Sequence, residues 1–255
     1  MLPSFSVTQI DLGFASIQIW GFFVALGFGA ALCMSLKEAE KESIDKEIIW
    51  DLMIVALLVM IAGGRLFYLL SDWSAGLAGL ANIHSGFSLA GGAVASGFAG
   101  WAYLKYRKQE WKKIFAMMTP NFIIALIFVR TGCFLVEDHI GKITALPWGM
   151  DFIDGTSRHP VALYEILFLA VLYFAVRKIQ KVHIEDGKLL AILISSYAVF
   201  RFLADFLRCD DMAMCDLRIW GLTATQWISI PIAVFFLLCN KAGFFKKNKE
   251  MLLQE

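Results

Sequence analysis

The chain is dominated by apolar runs that are long enough to cross a lipid bilayer as helices. A helix needs about 20 apolar residues to span the hydrocarbon core. The 255 residues are 59% hydrophobic and only 18% charged, a balance that is rare in soluble domains. We therefore expect an all-α, polytopic membrane protein with a single transmembrane domain over residues 1–255. The seven predicted spans are Ala15–Leu36, Ile48–Leu70, Gly86–Leu104, Pro120–Val136, Val161–Val176, Leu189–Leu207 and Ile219–Cys239.

The positions of lysine and arginine predict the orientation of these spans. Basic clusters follow every odd-numbered span, whereas the N-terminal segment and the second connection, 71–85, contain no Lys or Arg. Because cytoplasmic loops carry the excess of positive charge, the pattern predicts seven transmembrane helices with the N-terminus outside and the C-terminus inside. We expect an outer, periplasmic loop at 137–160 and a cytoplasmic tail at 240–255. No basic residue precedes Lys37, so the first span is expected to be a retained helix rather than a cleaved signal.

Composition also excludes several classes of function. The chain has no long basic run and no stacking platform for bases, so we expect no nucleic-acid partner. Its five cysteines show no metal-ligand spacing, and we expect neither a metal nor an organic cofactor. Cys209 and Cys215 share one short outer loop, where either a disulfide or two unpaired thiols would be reasonable.

Three arginines, Arg65, Arg130 and Arg201, lie inside predicted spans. A charged side chain at mid-membrane costs at least ~3 kcal/mol on insertion scales, so such residues usually face a cavity, a partner or a ligand. The predicted orientation places all three in the outer half of the bilayer. Three cations that converge there would form a site for a phosphate or a carboxylate.

The sixth span carries the densest constellation of polar residues. Tyr197, Arg201, Asp205 and Arg208 are separated by four, four and three residues, which places them on one helical face. Asp205 can pair with either arginine and leave the other for an anionic ligand. The alternative is an ion-paired stripe that only holds the helix bundle together.

The ends of the fourth and fifth spans carry the candidate proton acceptors. Asp138 and His139 follow the fourth span, and His159 stands just before the fifth. An acceptor must come within hydrogen-bond reach of its proton, and an interfacial histidine often has no such role. Glu165 is one turn into the fifth span and needs a partner there.

Glycines at three positions raise a further alternative. Gly91 and Gly92 lie in the third span, and Gly132 follows Arg130 by two residues. Small residues let helices approach closely in lipid, and they equally leave room for a ligand beside an arginine. Both interpretations stay open for all three glycines.

Several motifs, taken in chain order, resemble those of the bacterial prolipoprotein diacylglyceryl transferase family. GGRLFY at 63–68 and GFSLAGG at 86–92 are similar to the family's second-helix and glycine-rich motifs. RTGCFL at 130–135, followed by DHIGK and LPWGMDF, resembles its central signature, and RHPVALYE at 158–165 resembles its RHPSQLYE-like block. YAVFRFLADFLR at 197–208 and TATQWISIP resemble its last two helices. The resemblance covers most of the chain and implies a seven-span, N-out fold.

The resemblance implies an activity at the bacterial cytoplasmic (inner) membrane. The family transfers a diacylglyceryl group from phosphatidylglycerol to the thiol of a lipobox cysteine in a prolipoprotein and releases glycerol phosphate. Arg130 and Arg201 would hold the phosphate, because the planar guanidinium binds two phosphate oxygens and stays charged. The catalytic residues implied are Arg130, Arg201, His159, Asp138 and His139, and the substrate-binding residues are Arg65, Gly91, Gly92, Gly132, Tyr164, Glu165, Tyr197, Asp205 and Arg208.

The chain departs from the family pattern at several positions. Ala90 stands where the family often has a histidine, and alanine cannot accept a proton. These departures motivate two alternatives: a divergent paralogue that uses another acceptor, and a non-catalytic lipid-binding protein or transporter. The other departures are Trp20 for tyrosine, Cys133 and Val136 for asparagine, and Glu137-Asp138 for a Gly-Glu pair.

Overall fold

The computed structural model describes residues 6–14, 16–71, 88–152, 155–182, 185–212 and 215–241. Within these residues one α-helix accompanies each predicted span, and short antiparallel strand pairs lie at the helix ends. The helices are α1 Ile19–Lys41, α2 Lys46–Ser71, α3 Leu89–Tyr106, α4 Trp111–Leu135, α5 Val161–Gln180, α6 Asp186–Ala204 and α7 Ala224–Lys241. The strands are β1 Gln9–Asp11 with β2 Ser16–Gln18, β3 Met150–Asp151 with β4 Ser157–Arg158, and β5 Arg218–Ile219 with β6 Leu222–Thr223.

The described helices have the composition and exposure of a multi-pass membrane protein. Large apolar side chains such as Phe98 and Phe174 are 68% and 71% exposed, whereas Glu165 is fully buried. Exposed apolar side chains around a buried charge reverse the distribution that soluble proteins show, and this distribution suits a protein surrounded by lipid. Four segments are long and apolar enough to cross a membrane, and the apolar part of α7, Ala224–Leu238, is shorter. The four are Ile19–Lys41, Lys46–Leu70, Trp111–Leu135 and Asp186–Leu207.

Some sequence predictions concern residues that the structure does not describe. Residues 72–87, which include all but the first residue of the predicted second connection 71–85, lie outside the described residues, as do residues 242–255 of the predicted tail 240–255. Ala90 is the second residue of α3, but its side chain lies outside them too. The count of seven spans and the orientation of the termini stay predictions.

Helix α4 begins earlier than the sequence predicted. The apolar run suggested a start at Pro120, whereas the helix starts at Trp111 and contains the proline. Proline has no N–H for the carbonyl four residues earlier, which normally disfavours it inside a helix. Here the Gln180 side-chain amide at the end of α5 donates to the Ala116 carbonyl at 3.0 Å, so that acceptor is satisfied.

The chain divides into two compact units, residues 34–114 and residues 1–33 with 115–255. In the unit 34–114, α2 packs on α3 through glycines. A Cβ on Gly92 would lie 2.6 Å from the Met60 carbonyl oxygen, and one on Gly91 would lie 2.2 Å from the Phe67 Cβ. Helix packing therefore accounts for both glycines, and a ligand role for them stays a prediction.

The unit formed by 1–33 and 115–255 contains α5 to α7, α4 from residue 115 onward and α1 up to residue 33. A Cβ on Gly132 would lie 2.9 Å from the Phe23 Cβ, so this glycine lets α4 approach the start of α1. Three extended segments then join above the helices through backbone pairing. Gly141 pairs with Arg208, and Ile143 pairs with Arg158, which brings together the chain after α4, before α5 and after α6.

Candidate functional site

A fully buried carboxylate, Glu165 of α5, joins two of the membrane arginines. Its Oε2 lies 2.5 Å from the Arg130 Nε on α4, and its Oε1 accepts a hydrogen bond from the Arg201 Nη1 on α6. All three residues are buried, with at most 6% of their surface exposed. Two of the three arginines that the sequence places in membrane spans therefore meet on the Glu165 carboxylate. They are the partners that Glu165 was expected to need.

Asp205 forms a second buried centre, one turn further along α6. Its Oδ1 lies 2.9 Å from the Arg201 Nη2 and 3.7 Å from the Arg208 Nη1. Thr223 donates its hydroxyl to Oδ2 at 2.7 Å, and Thr225 donates to the same oxygen. Asp205 thus contacts both Arg201 and Arg208, whereas the sequence predicted a pair with one of them that left the other for a ligand. The helix also tightens here, since Asp205–Leu207 form a 3₁₀ turn and Arg208 is extended.

Arg208 connects this buried cluster to an open cavity of about 570 Å³. Its Nη2 lies 2.8 Å from the Asp216 Oδ2 and 2.6 Å from the His139 Nδ1. The buried Arg208 Nε has no hydrogen-bond partner among the described residues. A buried donor without an acceptor costs free energy, so a ligand oxygen there would be favourable. The cavity is lined by Thr8, Gln18, Trp20, Val136, Glu137, Asp138, His139, Ile140, Arg208, Cys209, Cys215 and Asp216.

His139 is held neutral by its surroundings. Arginine has only donors, so the His139 Nδ1 must accept from Arg208 and the ring proton must lie on Nε2. Burial, followed by the charges of Arg208, Arg130 and Arg201, lowers the pKa of His139 to about 2. The lone pair on the His139 Nδ1 therefore already accepts a hydrogen bond from Arg208, which makes His139 a weaker candidate for the proton acceptor.

His159 has a different environment from His139. Its Nδ1 lies 3.1 Å from the Tyr164 hydroxyl, which accepts a hydrogen bond from the Trp148 Nε1 at 3.0 Å. Burial lowers the pKa of His159, so the ring is neutral at pH 7. No arginine contact is among its hydrogen bonds in the described residues. Asp138, the third candidate, is exposed, and its carboxylate accepts from the His139 backbone N–H at 2.9 Å.

The remaining predicted residues divide between the two units. Tyr197 interacts with Arg130, whose Nη1 also approaches the buried Cys133 Sγ at 3.9 Å. Cys133 is only 2% exposed, which fits packing rather than nucleophilic chemistry. Arg65 is half-buried and belongs, with Gly91 and Gly92, to the unit 34–114.

Sequence reasoning missed four residues that complete the cluster. Thr223 and Thr225 lie on either side of Ala224, the first residue of α7, and Asp216 directly follows Cys215 in the chain. Arg218 donates to the Asp205 carbonyl at 3.2 Å and to the Arg208 carbonyl at 3.1 Å. The sequence signal for the threonines was a pair of hydroxyl residues, Thr223 and Thr225, separated by one residue near the predicted start of a helix. Their spacing did not indicate that Asp205 accepts their hydrogen bonds.

The loop after α6 is closed by a disulfide between Cys209 and Cys215, with the Cα atoms 5.5 Å apart. The structure therefore decides between the two alternatives that the sequence left open. The bridge lies directly beside Arg208 and lines the cavity.

The buried cluster contains more guanidinium groups than buried carboxylates. Arg130, Arg201 and Arg208 face the two buried carboxylates of Glu165 and Asp205, and the third carboxylate, Asp216, contacts Arg208 from the rim with a side chain that is 37% exposed. An anionic ligand that entered the cavity would share or replace this half-exposed partner of Arg208. The fold and this cluster together define a multi-pass membrane protein with a buried cationic site.

Comparison with known proteins identifies the family. The family model described as prolipoprotein diacylglyceryl transferase matches residues 7–240, and the chain belongs to that family. A phosphatidylglycerol–prolipoprotein diacylglyceryl transferase of Nitratidesulfovibrio vulgaris (strain DP4) is 30% identical over 262 residues, which covers 97% of this chain and 98% of the relative. The enzyme of the same name from Listeria innocua is 26% identical over 240 residues, covering 88% and 87%.

Proposed function

We propose that the protein transfers a diacylglyceryl group from phosphatidylglycerol to the lipobox cysteine thiol of a prolipoprotein. We place this reaction at the outer face of the bacterial inner membrane, in a single seven-span domain with its N-terminus outside. The observation that carries the proposal is the meeting of three buried guanidinium groups, of which Arg208 reaches an open cavity where its exposed partner Asp216 can give way to a phosphodiester.

In this proposal Arg130 and Arg201 bind the lipid phosphate. Glu165 and Asp205 engage only part of the ten N–H donors of the two arginines and fix the two guanidinium planes, so donors that they leave would bind phosphate oxygens. Arg208 would bind at the cavity side, where a phosphate must compete with Asp216. Because the leaving group gains negative charge as it departs, prearranged guanidinium groups stabilise the transition state more than the ground state.

The covalent step transfers one group and one proton. The thiol sulfur attacks the glyceryl carbon that bears the phosphate ester, an S–C bond forms, and the C–O bond to the phosphate breaks. Glycerol phosphate leaves with the electron pair of that bond, and the thiol proton passes to a base. We assign the base role to His159, because the lone pair of His139 is already engaged by Arg208. Tyr164 and Trp148 would orient the His159 ring.

The direct test uses the purified full chain in lipid nanodiscs with labelled phosphatidylglycerol and a lipobox peptide. We expect a peptide product whose mass increases by one diacylglyceryl group. The variant Arg130→Lys should lose the activity, whereas Arg107→Lys, a matched change at a half-exposed ion pair with Asp51, should keep it. Absence of product under conditions where a relative from Listeria innocua is active would contradict the proposal.

The departures from the family pattern support one second candidate. Ala90, Cys133 and Val136 replace residues that the family often keeps, which suits a paralogue that binds the same lipid but uses another acceptor. Complementation of a bacterium depleted of its own transferase distinguishes the two. Growth with normal lipoprotein processing supports the first candidate, and lipid transfer to a different acceptor without growth supports the second.

A further inference from the structure

The disulfide-closed loop after α6 contains two aspartates and is followed directly by a third, and each of the three contacts a basic side chain. Asp210 lies 3.0 Å from the Lys142 Nζ, and Asp216 lies 2.8 Å from the Arg208 Nη2. Asp211 forms two hydrogen bonds with Arg158, from Nη1 to Oδ1 at 3.0 Å and from Nη2 to Oδ2 at 2.8 Å. The bidentate pair is the strongest of the three, because a guanidinium and a carboxylate match in shape and charge.

Arg158 is the most deeply buried cation in the described residues, at 2% exposure. Besides Asp211, it donates from Nε to the Thr156 hydroxyl at 2.9 Å and from Nη1 to the Gly141 carbonyl at 3.1 Å. Removing the partner of a buried charge is strongly unfavourable, since the remaining charge keeps its desolvation cost. The side chain would have to move if Asp211 were neutralised.

Movement of Arg158 would be passed directly to His159. The His159 N–H donates to the Lys142 carbonyl at 3.0 Å, so the backbone of the histidine is fixed by the segment that Arg158 also contacts. A Cβ on Gly141 would lie 2.2 Å from the His159 carbonyl oxygen, so the two segments touch without spare room. Position errors of about 1 Å in a reacting group can lower a rate by about a hundredfold.

We propose that Asp211, held in place by the Cys209–Cys215 disulfide, is a positioning residue that fixes His159 through Arg158. The inference rests on the proposed role of His159 in accepting the thiol proton. Asp210 supplies a matched contrast in the same loop, because its partner Lys142 is 40% exposed and lies outside the buried cluster. Exposed pairs of this kind contribute little to structure.

The test compares Asp211→Asn with Asp210→Asn in the lipobox-peptide assay. We expect Asp211→Asn to lower kcat by about ten- to a hundredfold. The KM for phosphatidylglycerol should change by less than twofold, because the contacts of Asp211 in the described part of the chain include neither Arg130 nor Arg201. Asp210→Asn should leave both constants within twofold of wild type. Equal effects of the two substitutions on kcat, or a rise in KM without a fall in kcat, would overturn the inference.

The disulfide is tested without any substitution. Treatment of the wild type with a phosphine reductant, with reduction verified by intact mass, should lower kcat by at least about fivefold, and reoxidation should restore it. The double variant Cys209→Ser/Cys215→Ser should have the low kcat and no response to the reductant. Unchanged kcat in the verified reduced protein would overturn the part assigned to the bridge.

Hydrogen–deuterium exchange separates this inference from the proposed function. The amide N–H groups of His159 and Cys209, which donate to Lys142 and Ile140, should exchange faster in Asp211→Asn than in Asp210→Asn. If the wild type made no lipidated peptide, the proposed function would fail, and this comparison would still decide whether Asp211 holds the His159 segment. Equal amide exchange rates in Asp211→Asn and Asp210→Asn would show that Asp211 does not fix the His159 segment.

Discussion

Replacement of Glu165 by glutamine should destabilise the protein far more than removal of any exposed carboxylate. The substitution keeps the side-chain volume but removes the negative charge between Arg130 and Arg201. At the 2.5 Å separation of Arg130 and Glu165, an effective dielectric constant of about 20 gives an attraction of about 7 kcal/mol. Part of this offsets the cost of burying the charges, so we expect a net loss of about 3–5 kcal/mol.

The loss is measured from thermal unfolding in nanodiscs with a thiol-reactive dye in a Cys33→Ser background. Cys33 is exposed, whereas Cys133 beside Arg130 is buried and becomes reactive only on opening. Asp51→Asn is the matched control, since Asp51 pairs with Arg107 at 3.0 Å while 45% exposed. Such a pair contributes about 0–1 kcal/mol. If Glu165→Gln and Asp51→Asn lowered stability equally, the reasoning about a buried, shared carboxylate would be refuted.

Three further predictions concern Arg130 and the two histidines His139 and His159. Arg130→Lys should lower kcat/KM by about a hundredfold or more, since a single ammonium cannot serve Glu165 and a phosphate together, while Arg107→Lys changes it little. The depressed pKa of His139 means that the unfolded chain takes up the proton first as pH falls. Wild-type stability should therefore be constant above pH ~6.5 and fall below it by up to about 1.4 kcal/mol per pH unit relative to His139→Gln; parallel curves would contradict this. If His159 is the base, a plot of log kcat/KM against pH should be level from about pH 6.5 to the thiol pKa near 8.5. The variant His159→Ala should instead show a slope of one over that range. A slope of one in the wild type would exclude the assignment.

The helices and the meeting of two arginines were predictable from the sequence, and the partner network was not. Apolar runs of sufficient length predict helices because a membrane leaves the backbone no other way to satisfy its hydrogen bonds. The same argument predicts that Arg130, Arg201 and Glu165 require partners. Which partner each one finds depends on helix packing, which a single sequence does not specify.

Two features show where local reasoning reached its limit. The spacing of Arg201, Asp205 and Arg208 predicted one continuous helical face, but the chain tightens into a 3₁₀ turn and becomes extended at Arg208. Backbone pairing of Arg208 with Gly141 competes there with helix formation. Thr223 and Thr225 come to Asp205 from the next helix, a contact between distant residues that periodicity cannot indicate.

The contact between Gln180 and Ala116 fixes the lengthwise register of α4 against α5. Sliding either helix by one turn, about 5.4 Å, would separate the Ala116 carbonyl from this donor. The proline leaves this carbonyl free to accept from Gln180, and the resulting alignment is the one in which Arg130, near the C-terminal end of α4, meets Glu165, near the N-terminal end of α5.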